Sequence, residues 1–220
     1  MSDSEPHLSD ADALSSACRA LAARHPVFAG LIGRNGVPPL WRREASYATI
    51  VRLVLEQQVS LASATAAYAR LIRRVGDVTP EAILSSTDAQ LRADGFSRQK
   101  AGYVRDIARA VVDGSFDPVA VAGDRVGAMS ALLALRGVGP WTASCYALFV
   151  IGEPDVWPTG DRALHVAVGR AFELASVPTT EEAEAMAMVW SPYRSAAARM
   201  LWHDYLGGAA YTVPEDAGFL

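Results

Sequence analysis

The sequence predicts an all-α protein made of two helical subdomains with a cleft between them. Helix-capping residues recur along the chain, strand-like alternation is nearly absent, and alanine, the strongest helix former, is abundant. With 220 residues, of which 51% are hydrophobic and 20% charged, the chain can bury a sizeable core. Its apolar runs are too short for a membrane helix, and its acidic first residues resemble neither a signal nor a transit peptide. We therefore expect a cytoplasmic protein.

The expected helices begin at capping residues and end near glycines. The first five expected helices begin at Ser46, Ser60, Thr79-Pro80, Thr87 and Ser97. The next three span residues 124–135, 141–151 and 161–174. A further helix begins at a capping box of Thr179 and Glu182, and the last runs from Ser191-Pro192 to Gly207. The first 45 residues also have a helical pattern. We expect one bundle over 46–152 and a second over 1–45 with 153–220, with loose ends at 1–10 and 212–220.

Cysteine and charge content exclude several classes of site. Cys18 and Cys145 form no CxxC pair, which argues against a disulfide framework and against a zinc or iron–sulfur centre. The formal net charge is −4, and four acidic residues without a basic one occur in residues 1–12, so the remainder is neutral. Residues 92–109 hold five basic and two acidic side chains, a pattern that by itself is typical of a solvated helix face.

The segment from Leu135 to Ala143 reads Leu-Arg-Gly-Val-Gly-Pro-Trp-Thr-Ala and joins two expected helices. Gly137 and Gly139 allow a very tight turn, and Pro140 fits the first turn of a helix. The backbone N–H groups of such a turn can point outward together and bind a phosphate. Taken alone, Gly-X-Gly is also compatible with an ordinary helix connection.

This segment resembles the helix-hairpin-helix motif of the DNA glycosylase superfamily. Three further stretches resemble other segments of the 3-methyladenine DNA glycosylase branch: an early helix, the segment with the catalytic aspartate and the closing helix. The other matching stretches are 53–60 (Leu-Val-Leu-Glu-Gln-Gln-Val-Ser), 157–164 (Trp-Pro-Thr-Gly-Asp-Arg-Ala-Leu) and 190–195 (Trp-Ser-Pro-Tyr-Arg-Ser) with Trp202. The likeness covers about residues 45–207. Larger members carry an N-terminal β-rich domain, so this chain resembles the compact form. The lack of an iron–sulfur cysteine set disfavours the pyrimidine-oxidation and adenine-mismatch branches.

The resemblance implies hydrolysis of the N-glycosidic bond of alkylated purines in DNA, chiefly 3-methyladenine and 7-methylguanine, in base excision repair. It assigns catalysis to Asp161, which by itself would be interpreted as a helix N-cap. Bifunctional relatives place a lysine just after the hairpin, where this chain has Trp141, and the only lysine, Lys100, lies in another helix. We therefore expect no lyase activity. The alternatives are a glycosylase for hypoxanthine or uracil and a non-catalytic helix-hairpin-helix protein that only binds DNA.

The resemblance also implies the remaining site residues, and each has a structural alternative. A flipped, cationic base is best held by aromatic faces. The expected base pocket consists of Trp141, Trp202, Cys145 and Trp157, although Trp157 also suits a core. The expected DNA contacts are Gly137, Val138, Gly139, Arg98, Lys100 and Arg162. The side chain that fills the gap in the duplex is Phe96 or Arg98, and Phe96 could equally pack against the following helix.

No cofactor is required by this chemistry. The backbone carbonyls of Leu133, Leu135 and Val138 are the candidates for a structural monovalent cation, which the resemblance implies for the hairpin. The expected partner is double-stranded DNA with damaged bases. We expect the protein to be a monomer and not to bind a membrane.

Overall fold

A computed structural model describes residues 7–210. These residues form helices and turns without a strand, which confirms the all-α prediction. No helix in this range is long and apolar enough to cross a membrane. The α-helices are α1 (Ala11–Arg24), α2 (Pro26–Asn35), α3 (Tyr47–Glu56), α4 (Leu61–Val75), α5 (Pro80–Ser85), α6 (Asp88–Asp94), α7 (Arg98–Val112), α8 (Pro118–Gly123), α9 (Ala128–Leu133), α10 (Pro140–Tyr146), α11 (Arg162–Ala171), α12 (Thr180–Met188) and α13 (Arg194–Leu206). A π-helical turn (Ala147–Ile151) follows α10, and a 3₁₀ turn (Gly208–Ala210) follows α13.

The chain divides into two compact units. Of the described residues, 43–151 form one unit, and 7–42 with 152–210 form the other. The bounds expected from the sequence differ from these by at most three residues. Of the two expected loose ends, 212–220 and residues 1–6 of the first lie outside the described residues. At the other end, Asp10 caps α1 by accepting the N–H of Ala13 at 2.8 Å.

Most of the predicted helix starts are confirmed as side-chain caps. In each case a hydroxyl oxygen accepts the backbone N–H three residues later, which satisfies one of the unpaired donors at a helix start. These caps are Ser46, Ser60, Thr79, Thr87, Ser97 and Thr179. Thr87 and Thr179 complete reciprocal capping boxes with Gln90 and Glu182.

The bounds of the helix expected over 124–135 are wrong, because only Ala128–Leu133 (α9) is α-helical in this range. Asp117 starts an earlier helix, α8, because its carboxylate accepts the N–H groups of Val119 and Ala120. Asp124 instead accepts the N–H of Gly127 at 3.0 Å in the connecting turn, and α9 begins only at Ala128.

Three further helix bounds differ from the prediction. The helix expected over 161–174 ends at Ala171. The expected helix over 141–151 is α-helical only to Tyr146 and continues as the fully buried π-helical turn. The last helix begins at Arg194 and not at Ser191, because residues 189–192 form turns.

Each unit is organised around one mostly buried helix. In the 43–151 unit this helix is α3, which packs against α4, α7 and α10 with its residues 49–55 buried. In the other unit it is α13, which packs against α1, α2 and α11. Beside α13, the rings of Phe28, Phe172 and Trp157 all contact Trp190. Side chains on α13 and at the end of α3 position candidate site residues within their own units.

Candidate active site

The hairpin between α9 and α10 depends on Gly137. This residue has φ of 90°, and a Cβ atom placed on it would lie 2.2 Å from Cγ of Tyr103. Only glycine fits this position. Gly139 differs, because its φ is −95° and a Cβ atom there would meet nothing within 4 Å. The backbone at Gly139 therefore adjoins open space, while Gly137 is pressed against α7.

Gln57, at the end of α3, holds the hairpin in place. Its side-chain amide donates to the carbonyl of Gly137 at 2.8 Å and to Oγ1 of Thr142 at 2.9 Å. The two bonds join the turn to the first residues of α10. This role of Gln57 was not predicted from the sequence, because its partners are 80 and 85 residues away along the chain.

Lys100, on α7, binds the end of α3 next to the Gln57 side chain. Its Nζ donates to the carbonyls of Leu55 and Gln57, both at 2.8 Å. Burial lowers the pKa of this ammonium group. The structure thus gives Lys100 partners at the end of α3, whereas the sequence resemblance predicts that it contacts DNA.

The residue after Gln57 has a strained backbone. Gln58 has φ of 56° and is exposed, and Val59 beside it is 47% exposed. A residue other than glycine in this region costs on the order of 1–3 kcal/mol, and such strain clusters at functional sites.

Asp161 lies at the start of α11, in the other unit. Its Oδ1 accepts the N–H of Leu164 at 2.8 Å, so the carboxylate caps the helix. The same oxygen accepts the indole N–H of Trp202, on α13, at 3.3 Å. The residue is 9% exposed. Asp161 is therefore the cap that the sequence pattern suggests and also an oriented, mostly buried carboxylate.

The four residues expected to form the base pocket differ in burial. Trp141 and Trp202 are half-buried. Cys145 is 1% exposed and Trp157 is 7% exposed, with the Trp157 ring packed on Trp190 at 5.3 Å. Trp141 and Trp202 therefore keep surface for a ligand, whereas Cys145 and Trp157 occupy the cores of their units.

The expected DNA contacts also differ in exposure, and so do the two wedge candidates, Phe96 and Arg98, which are the side chains expected to fill the gap in the duplex. Arg98 and Arg162, each the first residue of its helix, are exposed. Phe96 is 3% exposed and Val138 is 6% exposed, so both side chains are buried. Of the two wedge candidates, Arg98 is the one whose side chain reaches solvent.

Within residues 7–210 no group of three or more His, Cys, Asp or Glu side chains could hold a metal ion. The expected monovalent-cation site depends on carbonyl oxygens instead. One of these, the carbonyl of Leu135, accepts the N–H of Val138 at 3.1 Å, which fixes the shape of the turn. A carbonyl oxygen has a second lone pair, so this bond is compatible with a cation.

The fold and these residues define a class of protein. Residues 51–192 match the HhH-GPD superfamily of base excision DNA repair proteins, so the chain belongs to this superfamily. The resemblance inferred from the sequence motifs is thereby confirmed.

Individual relatives carry glycosylase names. DNA-3-methyladenine glycosylase 1 of Schizosaccharomyces pombe is 28% identical over 178 residues, which cover 78% of this chain and 78% of that protein. "Putative DNA-3-methyladenine glycosylase YfjP" of Bacillus subtilis is 30% identical over 175 residues, or 74% of this chain, and the match spans only 60% of that protein's length. Among solved structures, 3-methyladenine DNA glycosylase Mag1 of S. pombe in complex with abasic DNA has a TM-score of 0.79 and 25% identity, covering 90% of this chain and 99% of that chain.

Proposed function

We propose that this protein is a monofunctional DNA glycosylase that releases alkylated purines, chiefly 3-methyladenine and 7-methylguanine, from double-stranded DNA. The observation that carries the proposal is Asp161, a mostly buried carboxylate held by the N–H of Leu164 and the indole N–H of Trp202. A protein that only binds DNA can use this residue as a helix cap, but the second hydrogen bond, from Trp202, orients the carboxylate beyond what a cap requires. Family membership and the names of the relatives support the same activity.

The chemistry needs one fixed negative charge. As the bond between C1′ and the base nitrogen breaks, positive charge develops on the sugar, and the carboxylate of Asp161 stabilises it. Water then forms the new C–O bond at C1′, and its proton passes to the carboxylate or to solvent. The alkylated purine already carries a positive charge and takes the electron pair of the broken bond, so it leaves as a neutral base. No general acid is required, in agreement with a site built around a single carboxylate.

The flipped base would be held by aromatic faces, for which the half-buried Trp141 and Trp202 are the candidates. The backbone of Gly137 and Gly139 would hold a phosphate next to the lesion. Two exposed side chains could fill the vacated space in the duplex: Arg98 and the strained Gln58. Replacing each by alanine and following base flipping by 2-aminopurine fluorescence identifies the wedge as the variant that loses the signal.

The absence of lyase activity is part of the proposal. A lyase needs an amine nucleophile, and the position after the hairpin holds Trp141. Lys100, the single lysine, donates to two backbone carbonyls. Borohydride should trap no covalent complex with DNA, and trapping that disappears in Lys100→Met would contradict this part of the proposal.

The decisive experiment is the release of free bases from methylated duplex DNA, identified by mass. The wild-type chain should release 3-methyladenine and 7-methylguanine, and Asp161→Asn should bind an abasic duplex normally and release neither. Asparagine is the matched substitution because it still caps the helix. Near-normal release by Asp161→Asn would remove this residue from the mechanism, and release of hypoxanthine or uracil alone would favour the alternative substrate class.

Several properties remain predictions within this proposal. DNA binding should weaken as salt rises and should depend little on sequence, because phosphate contacts position the protein without reading bases. No cofactor is needed, and the cation at the carbonyls of Leu133, Leu135 and Val138 would only shape the hairpin. The chain should act as a monomer in the cytoplasm.

A further inference from the structure

The segment that leads to Asp161 is anchored to α13 by an ion pair. Asp155 accepts two hydrogen bonds from the guanidinium of Arg194, from Nε to Oδ1 at 2.8 Å and from Nη2 to Oδ2 at 2.9 Å. It also accepts the N–H of Arg194 at 3.2 Å and the hydroxyl of Ser191 at 2.8 Å. This bidentate geometry fixes direction as well as distance. Burial raises the pKa of Asp155, but the hydrogen bonds from Arg194 and Ser191 outweigh it and leave the pKa lowered.

Ser195, the next residue of α13, holds the same segment through its backbone and side chain. Its N–H donates to the carbonyl of Pro154 at 3.1 Å. Its hydroxyl accepts the N–H of Val156 at 3.0 Å and donates to the carbonyl of Val156 at 3.3 Å. Ser195 is fully buried, so these bonds are shielded from water.

The far end of the segment is attached to the same helix. Trp202 of α13 donates to Asp161, seven residues after Ser195. At 1.5 Å per residue the two attachment points are about 10 Å apart along the helix axis. One rigid helix therefore holds the segment before the carboxylate and the carboxylate itself.

We propose that Asp155 and Arg194 are positioning residues for base excision, because their ion pair sets the register of residues 154–161 on α13 and so places the carboxylate of Asp161 against Trp202. This inference rests on the proposed function. A displacement of about 1 Å at a reacting group can lower a rate about 100-fold. Loss of the ion pair should therefore slow the chemical step without weakening DNA binding.

The test compares Asp155→Asn with a matched control, Asp204→Asn. Asp204 lies on α13, the helix that carries Arg194. Its side chain is 22% exposed, and that of Asp155 is 26% exposed. It accepts a hydrogen bond from Asn35 at 2.7 Å and lies 3.6 Å from the guanidinium of Arg34. Both substitutions remove one negative charge from an arginine pair in the same unit, but only Asp155 belongs to the segment before Asp161.

The measurement is single-turnover release of 7-methylguanine with enzyme in excess, together with the Kd for an abasic duplex and the Tm. Asp155→Asn should lower the rate about 10- to 100-fold with the Kd unchanged, and Asp204→Asn should keep the wild-type rate. Arg194→Met should show the same loss, and the double variant should lose little more, since the two residues act as a unit. Arg194→Lys should recover only part of the rate, because lysine lacks the guanidinium fork.

Two results would overturn the inference: a wild-type rate in Asp155→Asn, or equal losses in Asp155→Asn and Asp204→Asn. In either case the ion pair would only stabilise the fold. Failure of the proposed function is distinguishable, because then the wild-type chain would release no base. If wild type releases base and Asp161→Asn does not, a full rate in Asp155→Asn refutes the positioning role alone.

Discussion

Replacing Trp202 by phenylalanine tests whether the indole orients the carboxylate of Asp161. The substitution keeps an aromatic face and removes the N–H that donates to Oδ1 at 3.3 Å. A hydrogen bond to a charged group contributes about 1.5–3 kcal/mol, and this bond is longer than the usual optimum, so we take the lower figure. A loss of about 1.4 kcal/mol corresponds to about a tenfold lower rate.

The assay is single-turnover release of two bases, 3-methyladenine and 7-methylguanine, from the same methylated DNA. If the indole acts through Asp161, Trp202→Phe lowers both rates by the same factor, because the sugar is the same in both nucleotides. Trp202→Ala should lose more, since it also removes the ring. Tyr205→Phe, on the same helix and 39% exposed, is the control and should keep the wild-type rates. Unequal factors for the two bases, or no loss in Trp202→Phe, would refute the reasoning.

Three further predictions concern the hairpin and the ion pair. Gln57→Leu removes two hydrogen bonds that hold the hairpin, which together contribute about 1–3 kcal/mol. The variant should bind an abasic duplex more weakly in fluorescence anisotropy. Unchanged affinity would mean that the hairpin does not contact DNA. Gly137→Ala should lower the free energy of unfolding by more than about 1 kcal/mol, because Gly137 has a positive φ and lies close to Tyr103. Gly139→Ala should lower it by about 1 kcal/mol or less. Urea unfolding measures both changes. The pKa of Asp155 is lowered in the folded state, so its carboxylate stabilises the fold above about pH 4, and this contribution is lost as the pH falls through the lower folded value. The stability difference between wild type and Asp155→Asn should therefore be full at pH 7 and shrink in acid unfolding curves below about pH 4, whereas a constant difference would show that ionisation of Asp155 does not contribute.

Local features of the fold were predictable because their causes are local. A hydroxyl cap needs only the residues that follow it, so the starts at Ser46 and Thr87 could be inferred from the sequence. The start of α8 could also have been predicted, since Asp117-Pro118 has the same pattern as Thr79-Pro80. The π-helical turn could not have been predicted, because residues 147–151 have the pattern of an ordinary apolar α-helix.

The candidate site was predictable only in part, because its geometry depends on contacts between distant residues. The family motifs identified Asp161 and the hairpin, but the donors that hold them, Trp202 and Gln57, are 41 and 80 residues away along the chain. The burial of Phe96 follows from packing and not from the local sequence. For Lys100, the charge pattern suggested a solvated or DNA-facing cation, whereas the fold directs the ammonium group to the end of α3.

The role proposed for Asp161 in catalysis, together with its observed role as a helix cap, has an evolutionary consequence. Catalytic groups often reduce stability, so that mutations abolishing activity make a protein more robust. Here the carboxylate caps α11, and a change to alanine would cost about 1 kcal/mol of stability in addition to the proposed loss of activity. Selection for stable folding alone would therefore tend to retain this side chain, and inactive descendants should more readily carry asparagine or serine than alanine at this position.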